Sequence, residues 1–367
     1  MTTAHSDPHS MAIVDGTAWR DFCARLADAG SIILSPEAPA TPLDRAEGYR
    51  YLTRLLRIAL EMNLEAADPD FPYFYMASHE TAKIGADNPD NIYWNATVSA
   101  ANSYRITGTR GTMAYFGIGT KANRYHIDGT MASTGELDDS TITWGANGEL
   151  EILVSQTRQP GNWLPMQPDT SFVIIRQSYL DRGEEKPGNF KIERIGAPML
   201  PKPLDPAFMQ AALARSANFV FGTAATFHAW AQEFKEAPNQ LPARDQAKYC
   251  RAGGDPNIFY LHGYFDFPMD HAWVIDVMPP DCPYWNFQIE NWWMESLDYR
   301  HLQVSVNKHT VLRNPDGSVT FVVAASDTGV GNFIDRAGHQ TGTALLRWLG
   351  ASTHPVPTCR VIPLANL

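Results

Sequence analysis

Two stretches of this chain, about 170 residues apart, carry the same pattern. One reads NGELEILVSQTRQPGNWLPMQPDTSFVIIRQ from Asn147, the other DGSVTFVVAASDTGVGNFIDRAGHQTGTALLRW from Asp316. In each, a turn dipeptide (Asn147-Gly148, Asp316-Gly317) precedes three alternating apolar residues (Leu150, Ile152, Val154; Val319, Phe321, Val323). Gly-Asn-aromatic follows (Gly161, Asn162, Trp163; Gly331, Asn332, Phe333), and then an arginine, Arg176 or Arg347. Apolar residues at period two mark strands with one buried face. A chain that repeats such a unit is expected to build it twice. Residues kept in both copies then serve the shared fold, and residues present in one copy are the better candidates for chemistry. On this argument the Asn-aromatic pair and the terminal arginine are scaffold.

The copies extend upstream, where Tyr104–Gly108 aligns with Phe259–Gly263. From Gly108 to Gly148 is 40 residues and from Gly263 to Gly317 is 54, so the second copy carries an excess, assigned to Tyr284–Arg300. The expected fold is α+β: two related antiparallel β-sandwich, jelly-roll-like units with N-terminal and central helices. The division is a helical segment over 1–90, a first β unit over 91–200, a helical connector over 201–256 and a second β unit over 257–367. The two units are expected to pack as one pseudo-symmetric body with a pocket where they meet.

Local signals fill in the rest. A helix is expected from Thr17 to Ala29, stopped by Gly30. A stronger one opens on Thr41 as N-cap with Pro42 in the first turn and Asp44 behind it, and puts Leu52, Leu55, Leu56, Ala59 and Met62 on one face. The segment Asp68–Met76 is too rich in proline for a regular strand and reads as a loop packed inward. Asp205-Pro206 starts a helix that Gly222 divides, and a short helix over Gly342–Leu349 closes the chain.

Composition removes several function classes. Apolar residues make up 44% and aromatic residues 11%, enough for a large core. The 29 Lys and Arg against 40 Asp and Glu leave a net charge of −11, without the basic patch that nucleic acid requires. Four scattered cysteines (Cys23, Cys250, Cys282, Cys359) form no C-x-x-C pair, which argues against a zinc site or a disulfide framework. The first residues lack the basic and apolar regions of a leader, and no apolar run approaches the ~20 residues of a membrane span. A cytoplasmic protein with no nucleic-acid or membrane partner is expected, and a homo-oligomer is compatible with the sequence.

The NWLP run (Asn162–Pro165) after its turn and strand, and WNFQ…NPDGS (Trp285–Ser318), resemble the family known as domain of unknown function 1214. The resemblance covers both β units and implies a β-sandwich with attached helices. It implies no activity and carries no catalytic residues. The second copy departs from it, with Asn332-Phe333-Ile334-Asp335 in place of NWLP.

The chemical suspects cluster in the excess: Glu290, Asn291, Trp292, Trp293, Glu295, Asp298, Tyr299, Arg300 and His301. Carboxyl groups beside large apolar walls suit acid/base catalysis, since burial raises a carboxyl pKa toward neutrality. His262, opposite Thr107 in the upstream alignment, joins them as an asymmetric feature beside Gly263. Asp266–His271 reads as a hairpin loop, His309 as a rim residue and His228-Ala-Trp230 as packing. His126-Ile127-Asp128 has the His-x-Asp spacing of an iron triad but no convincing distal histidine. There is no nucleophile elbow, P-loop or dinucleotide fingerprint. The expected activity is a cofactor-independent lyase, isomerase or hydrolase acting on an apolar or aromatic small molecule. Glu290, Asp298 and His262 would be its acid/base groups and Arg300 its oxyanion holder. Trp292, Trp293, Tyr299, Asn291 and His301 would form the substrate wall, with no metal. The competing expectation is a non-catalytic carbohydrate- or lipid-binding sandwich.

Overall fold

A computed structural model describes residues 8–124, 127–196 and 200–367. Helices α1 (Pro8–Val14), α2 (Thr17–Ile33) and α3 (Pro42–Leu60) precede the first unit, and α4 (Pro206–Phe234) and α5 (Gln246–Arg251) separate it from the second. The first unit contains β1 (Asn91–Thr97), β2 (Tyr104–Thr109), β3 (Tyr115–Arg124), β4 (Thr130–Asp138), β5 (Glu149–Ser155), β6 (Trp163–Pro165), β7 (Phe172–Ser178) and β8 (Asn189–Arg194). The second contains β9 (Ile258–Asp266), β10 (His271–Val277), β11 (Tyr284–Glu290), β12 (Ser305–Asn307), β13 (Val319–Ala324), β14 (Asn332–Asp335), β15 (Thr341–Leu349) and β16 (Thr358–Pro363).

The two units are wired alike. Sheet order β1-β7-β3-β4 in the first matches β9-β15-β11-β12 in the second, and β6-β5-β2-β8 matches β14-β13-β10-β16. Even the parallel pair β5–β6 is repeated as β13–β14. Each unit is a sandwich: one face of β7 (Val173, Ile175) packs on β2 and β5, and the matching face of β15 (Ala344, Leu346, Trp348) packs on β10 and β13. The opposite faces, with Phe172, Ile174 and Arg176 in one unit and Leu345 and Arg347 in the other, turn toward the helices.

The repeated asparagines are clamps, as expected of scaffold. Asn162 accepts from Thr143 N (2.8 Å) and donates to Thr143 O and Glu151 O. Asn332 does the same with Leu312 N, Leu312 O and Thr320 O.

Four expectations are corrected. The alignment of Tyr104–Gly108 with Phe259–Gly263 is out by a strand: β9 matches β1, and β2 matches β10. The pairing registers fix the correspondence, since Tyr93 faces Arg176 as Tyr260 faces Arg347. Residues Gly342–Leu349 form the central strand β15, hydrogen-bonded to β11 and β9, not a helix. Burial on both faces erases the alternation that would have marked it. Helix α4 runs through Gly222, because a mid-helix glycine costs only about 1 kcal/mol and Phe219, Val220, Ala224 and Phe227 are buried around it. Helix α2 likewise passes Gly30 to bury Ile33. Thr41 and Asp205 cap α3 and α4 as the sequence indicates, accepting from Asp44 N and Ala207 N. No helix among the described residues is long and apolar enough to cross a membrane.

The excess of the second copy lies between β11 and β12, where residues 291–304 replace a short hairpin, and it clasps the N-terminal part of the chain. Lys83 Nζ donates to Ser296 O (2.6 Å), Ser296 Oγ and Leu297 O. Arg54 on α3 bonds Glu295 (2.6 Å), and Asn291 donates to Glu47 and Glu295. Glu47 also pairs with buried His339 at 2.7 Å. Burial opposes both charges. The His339 hydrogen bond nevertheless holds Glu47 below the usual glutamate range, and Glu47 holds His339 above the usual histidine range. The carboxylate contribution is complete above about pH 4.5 and fades as Glu47 protonates below it. The imidazolium contribution is complete below about pH 6.5 and fades as His339 loses its proton above it. Denaturant unfolding of the His339→Gln variant should therefore show a larger loss of stability at pH 5.5 than at pH 8.5. An equal loss at both would show that the pair is not the source.

Candidate functional site

The turned-in faces of the two units do not touch throughout. They enclose a cavity of about 180 Å³ with α3, α4, α5 and the loop over 75–88. Its polar floor is built from equivalent positions: Tyr93, Asn95 and Arg176 on β1 and β7, and Tyr260, His262 and Arg347 on β9 and β15. Ile174 and Leu345 are a further matched pair, and Phe219, Phe227, Trp230, Tyr249, Ile58 and Met62 supply most of the apolar wall. Met62 lies on a π-helical turn, Glu61–Glu65, that continues α3. A second cavity of about 280 Å³ shares Met62, Asn123, Phe172 and Phe219 with the first and adds Arg215.

The units hold one another by exchange. Arg347 of the second donates to Ala86 O in the loop before β1, and Arg176 of the first donates to Gly253 O in the loop before β9. Tyr284 on β11 bonds Asn88 and Asp90 (2.6 Å), while Tyr115, its equivalent on β3, bonds Asp255 (3.2 Å) and accepts from Asn257. Within each unit the cavity tyrosine steadies its own loop: Tyr93 Oη accepts from Asn88 N at 3.1 Å, and Tyr260 Oη from Asp255 N at 2.8 Å. Gly253 has φ +103°, and a Cβ there would come within 2.9 Å of Met131 Sδ, so this crossing requires glycine.

The two arginines differ in what else they bond. Arg347 Nη1 donates to Asn286 (3.2 Å) and Gln288 (2.6 Å) on β11. The equivalent positions on β3 are Gly117 and Gly119, and Arg176 Nη1 is buried without a partner. His262 is 3% exposed, stacked on Phe234 at 4.9 Å and close to Tyr249 at 4.6 Å, with no partner for Nδ1. Burial, and then the charge of Arg347, push its pKa well below the usual value, so the ring is neutral at physiological pH. Tyr249 Oη and Ser78 Oγ, also in the lining, are likewise without partners.

Of the residues put forward from the sequence as catalytic or substrate-binding, His262 alone lines the cavity. Glu290 is fully buried beyond the lining, accepting from Gln288 and Thr343 at 2.8 Å, and burial pushes it up to about 7. Asp298 and Arg300 bind each other on the surface (2.9 and 2.7 Å), far from the expected convergence with Glu290 and His262. The Arg300 hydrogen bonds hold Asp298 well below the usual carboxylate range. Trp292 and Trp293 are core, not wall: their ring N–H groups bond His228 (3.0 Å) and Asp44 O (3.2 Å), leaving no face for a ligand. Asn291 caps its own turn, Tyr299 lies over Lys83 at 4.5 Å, and His301 is exposed. His126 falls outside the described residues, and Asp128 is exposed. Among the described residues no three His, Cys, Asp or Glu are placed to hold a metal ion.

The tyrosines and arginines at the cavity were missed although a signal existed. Asn88-Pro89-Asp90 five residues before Tyr93 corresponds to Asp255-Pro256-Asn257 five before Tyr260. That match sets the correspondence of β1 with β9 and makes the two arginines equivalent.

Two like-wired sandwiches closed around a shared cavity define a duplicated β-sandwich protein. The family model described as "Protein of unknown function (DUF1214)" matches residues 85–180, from the loop held by Arg347 through Arg176. The sequence resemblance had spread over both units; the match lies on the first. An uncharacterised protein of Burkholderia cenocepacia, known from a crystal structure, is 50% identical over 97% of this chain and 99% of its own, with a TM-score of 0.95. The chain belongs to this family of unknown function. The VPA0106 protein of Vibrio parahaemolyticus is 12% identical over 86% of this chain and 98% of its own, with a TM-score of 0.50, a likeness of fold alone. No curated protein matches.

Replacing Arg347 with Met would strand Ala86 O and two amide oxygens in the interior. The expected loss is about 3 kcal/mol or more of unfolding free energy, at roughly 1 to 3 kcal/mol per buried unsatisfied group. A urea midpoint equal to that of the unaltered protein would show that the exchange between units contributes little.

Proposed function

We propose that this protein is a cofactor-independent enzyme acting on a compact, largely apolar or aromatic metabolite by general acid/base catalysis. The chemistry lies in the cavity between the units, with His262 as the group that accepts a proton. The observation that carries this reading is the gathering of unpartnered buried polar atoms, His262 Nδ1, Tyr249 Oη, Ser78 Oγ and Arg176 Nη1, in residues lining one cavity. Folded proteins leave few such atoms, because each costs about 1 to 3 kcal/mol, so their concentration here is what a ligand would satisfy. An apolar cavity of about 150 Å³ in another protein takes up benzene, so about 180 Å³ suits a single-ring molecule.

A general base near neutrality has to be uncharged and within reach of the substrate. His262 meets the first condition through burial and the second through its place in the lining. Glu290 would act, if at all, through Gln288, which donates to it and accepts from Arg347. Asp298, Arg300, Trp292 and Trp293 have no part in this reading, because surface pairing and core packing occupy them.

One observation favours a second reading, a non-catalytic binder: among the described residues no carboxylate bonds His262 Nδ1. Screening the purified protein against a metabolite library by mass spectrometry separates the two. An enzyme consumes one compound, and His262→Gln then lowers kcat about 100-fold or more while the variant still melts cooperatively. Consumption unaffected by His262→Gln would remove the proton role, and binding without consumption would establish the binder.

A further inference from the structure

Resting on the proposed use of the cavity, we infer that its ligand is a small apolar-bodied monocarboxylate whose carboxylate sits on the Arg176 guanidinium.

The argument comes from comparing the two copies at one register position. Arg176 and Arg347 occupy equivalent places on β7 and β15, and each uses Nη2 to hold the loop of the other unit. In the second unit the remaining terminal nitrogen is taken by Asn286 and Gln288. In the first those amides are replaced by Gly117 and Gly119, and Nη1 is left without an acceptor although the residue is only 7% exposed. A fold that saturates one arginine and strips the other at the same place has a donor to offer.

The nearest acids, Asp255 and Glu136, support the charge of Arg176 but do not bond its Nη1. Asp255 has one oxygen bonded to Asn257 N (2.9 Å) and the other to Tyr115 Oη (3.2 Å). Glu136 lies in the space left by Gly119, where a Cβ would meet its carboxylate at 2.2 Å, and is paired with the buried Lys121. Asp87 in the lining accepts from Ser296 N and Oγ. Neither arginine of the cavity makes an ion pair among the described residues. Tyr249 Oη and Ser78 Oγ, in the same lining and also without partners, can add further donors. A carboxylate offers two oxygens to such a donor-rich corner, and its charge-assisted bonds are about twice as strong as those of a neutral acceptor. The ring or alkyl body then lies against Trp230, Ile174 and Leu345.

The test uses benzoate and benzamide, which share size and shape and differ in charge, titrated calorimetrically into the full chain at neutral pH. The expected result is benzoate bound about tenfold or more tighter than benzamide, a preference that Arg176→Met abolishes and Arg176→Lys retains in part. Apo melting temperatures check that the variants fold, and if Arg176→Met does not, the preference in Arg176→Lys is read instead. Equal binding of both probes, or a benzoate preference unchanged in either folded variant, would overturn the carboxylate while leaving the cavity a small-molecule site. If neither probe binds, the carboxylate and the use of the cavity both fall.

Discussion

The structure depends on a reciprocal exchange of hydrogen bonds between its two halves. Each unit sends an arginine and a tyrosine into the loop that opens the first inner strand of the other: Arg347 and Tyr284 hold the segment Ala86–Asp90, and Arg176 and Tyr115 hold Gly253–Asn257. Ala86–Pro89 in the first loop and Asp255 in the second are buried, and their polar groups would be costly without partners. Neither sandwich can complete the other's entry loop unless it is itself folded, so the exchange couples two sandwich cores that share no strands. It also explains where the cavity lies. Arg176 and Arg347, which carry the exchange, both line it.

Divergence of the copies falls where duplication would otherwise impose sameness. On the inner sheets, Asn95 answers His262, Gly117 and Gly119 answer Asn286 and Gln288, and Lys121 answers Glu290. The second unit is thereby filled with amides that saturate its arginine. In the first, Tyr115 and Asp255 take the place beside Gly117 and Glu136 the place beside Gly119, and none of them bonds Arg176 Nη1. The long connection over 291–304 adds a second asymmetry, since it reaches both α3 and Lys83. That clasp fixes α3, and with it the π-helical turn that places Met62 between the two cavities. A π turn forced into a helix is often a device for aiming a side chain at a site.

The fold was legible where alternation survives and obscure where it does not. Strand β5, half buried, shows a clear period-two pattern, and the turns before β5 and β13 announce the duplication. Strand β15 is buried over nearly its whole length, so its TGTALLRWL reads equally well as a helix. The site was obscured for a different reason. Trp292, Trp293, Glu290 and Arg300 are dense in chemically capable groups, but density along the chain does not separate a pocket wall from a core that buries tryptophan N–H groups on internal partners. His262 was found by setting it against Thr107, a pairing the topology overturns; its equivalent is Asn95. Arg176 was set aside because it keeps the repeat.

That last inference, that what both copies retain is scaffold, holds for the asparagine clamps and fails at the cavity. Asn162 and Asn332 lie in the outer sheets, where each serves its own unit and nothing brings the two together. Arg176 and Arg347 lie in the inner sheets, where duplication itself delivers two copies of a residue to one place. A cavity formed there begins with matched functional groups from both units. It becomes selective only when the surroundings of one copy change, because a bound molecule without twofold symmetry needs unlike walls. The retained arginine is therefore as much part of the site as the substituted positions around it. Its chemistry is set by Gly117 and Gly119, two residues that carry no functional group at all.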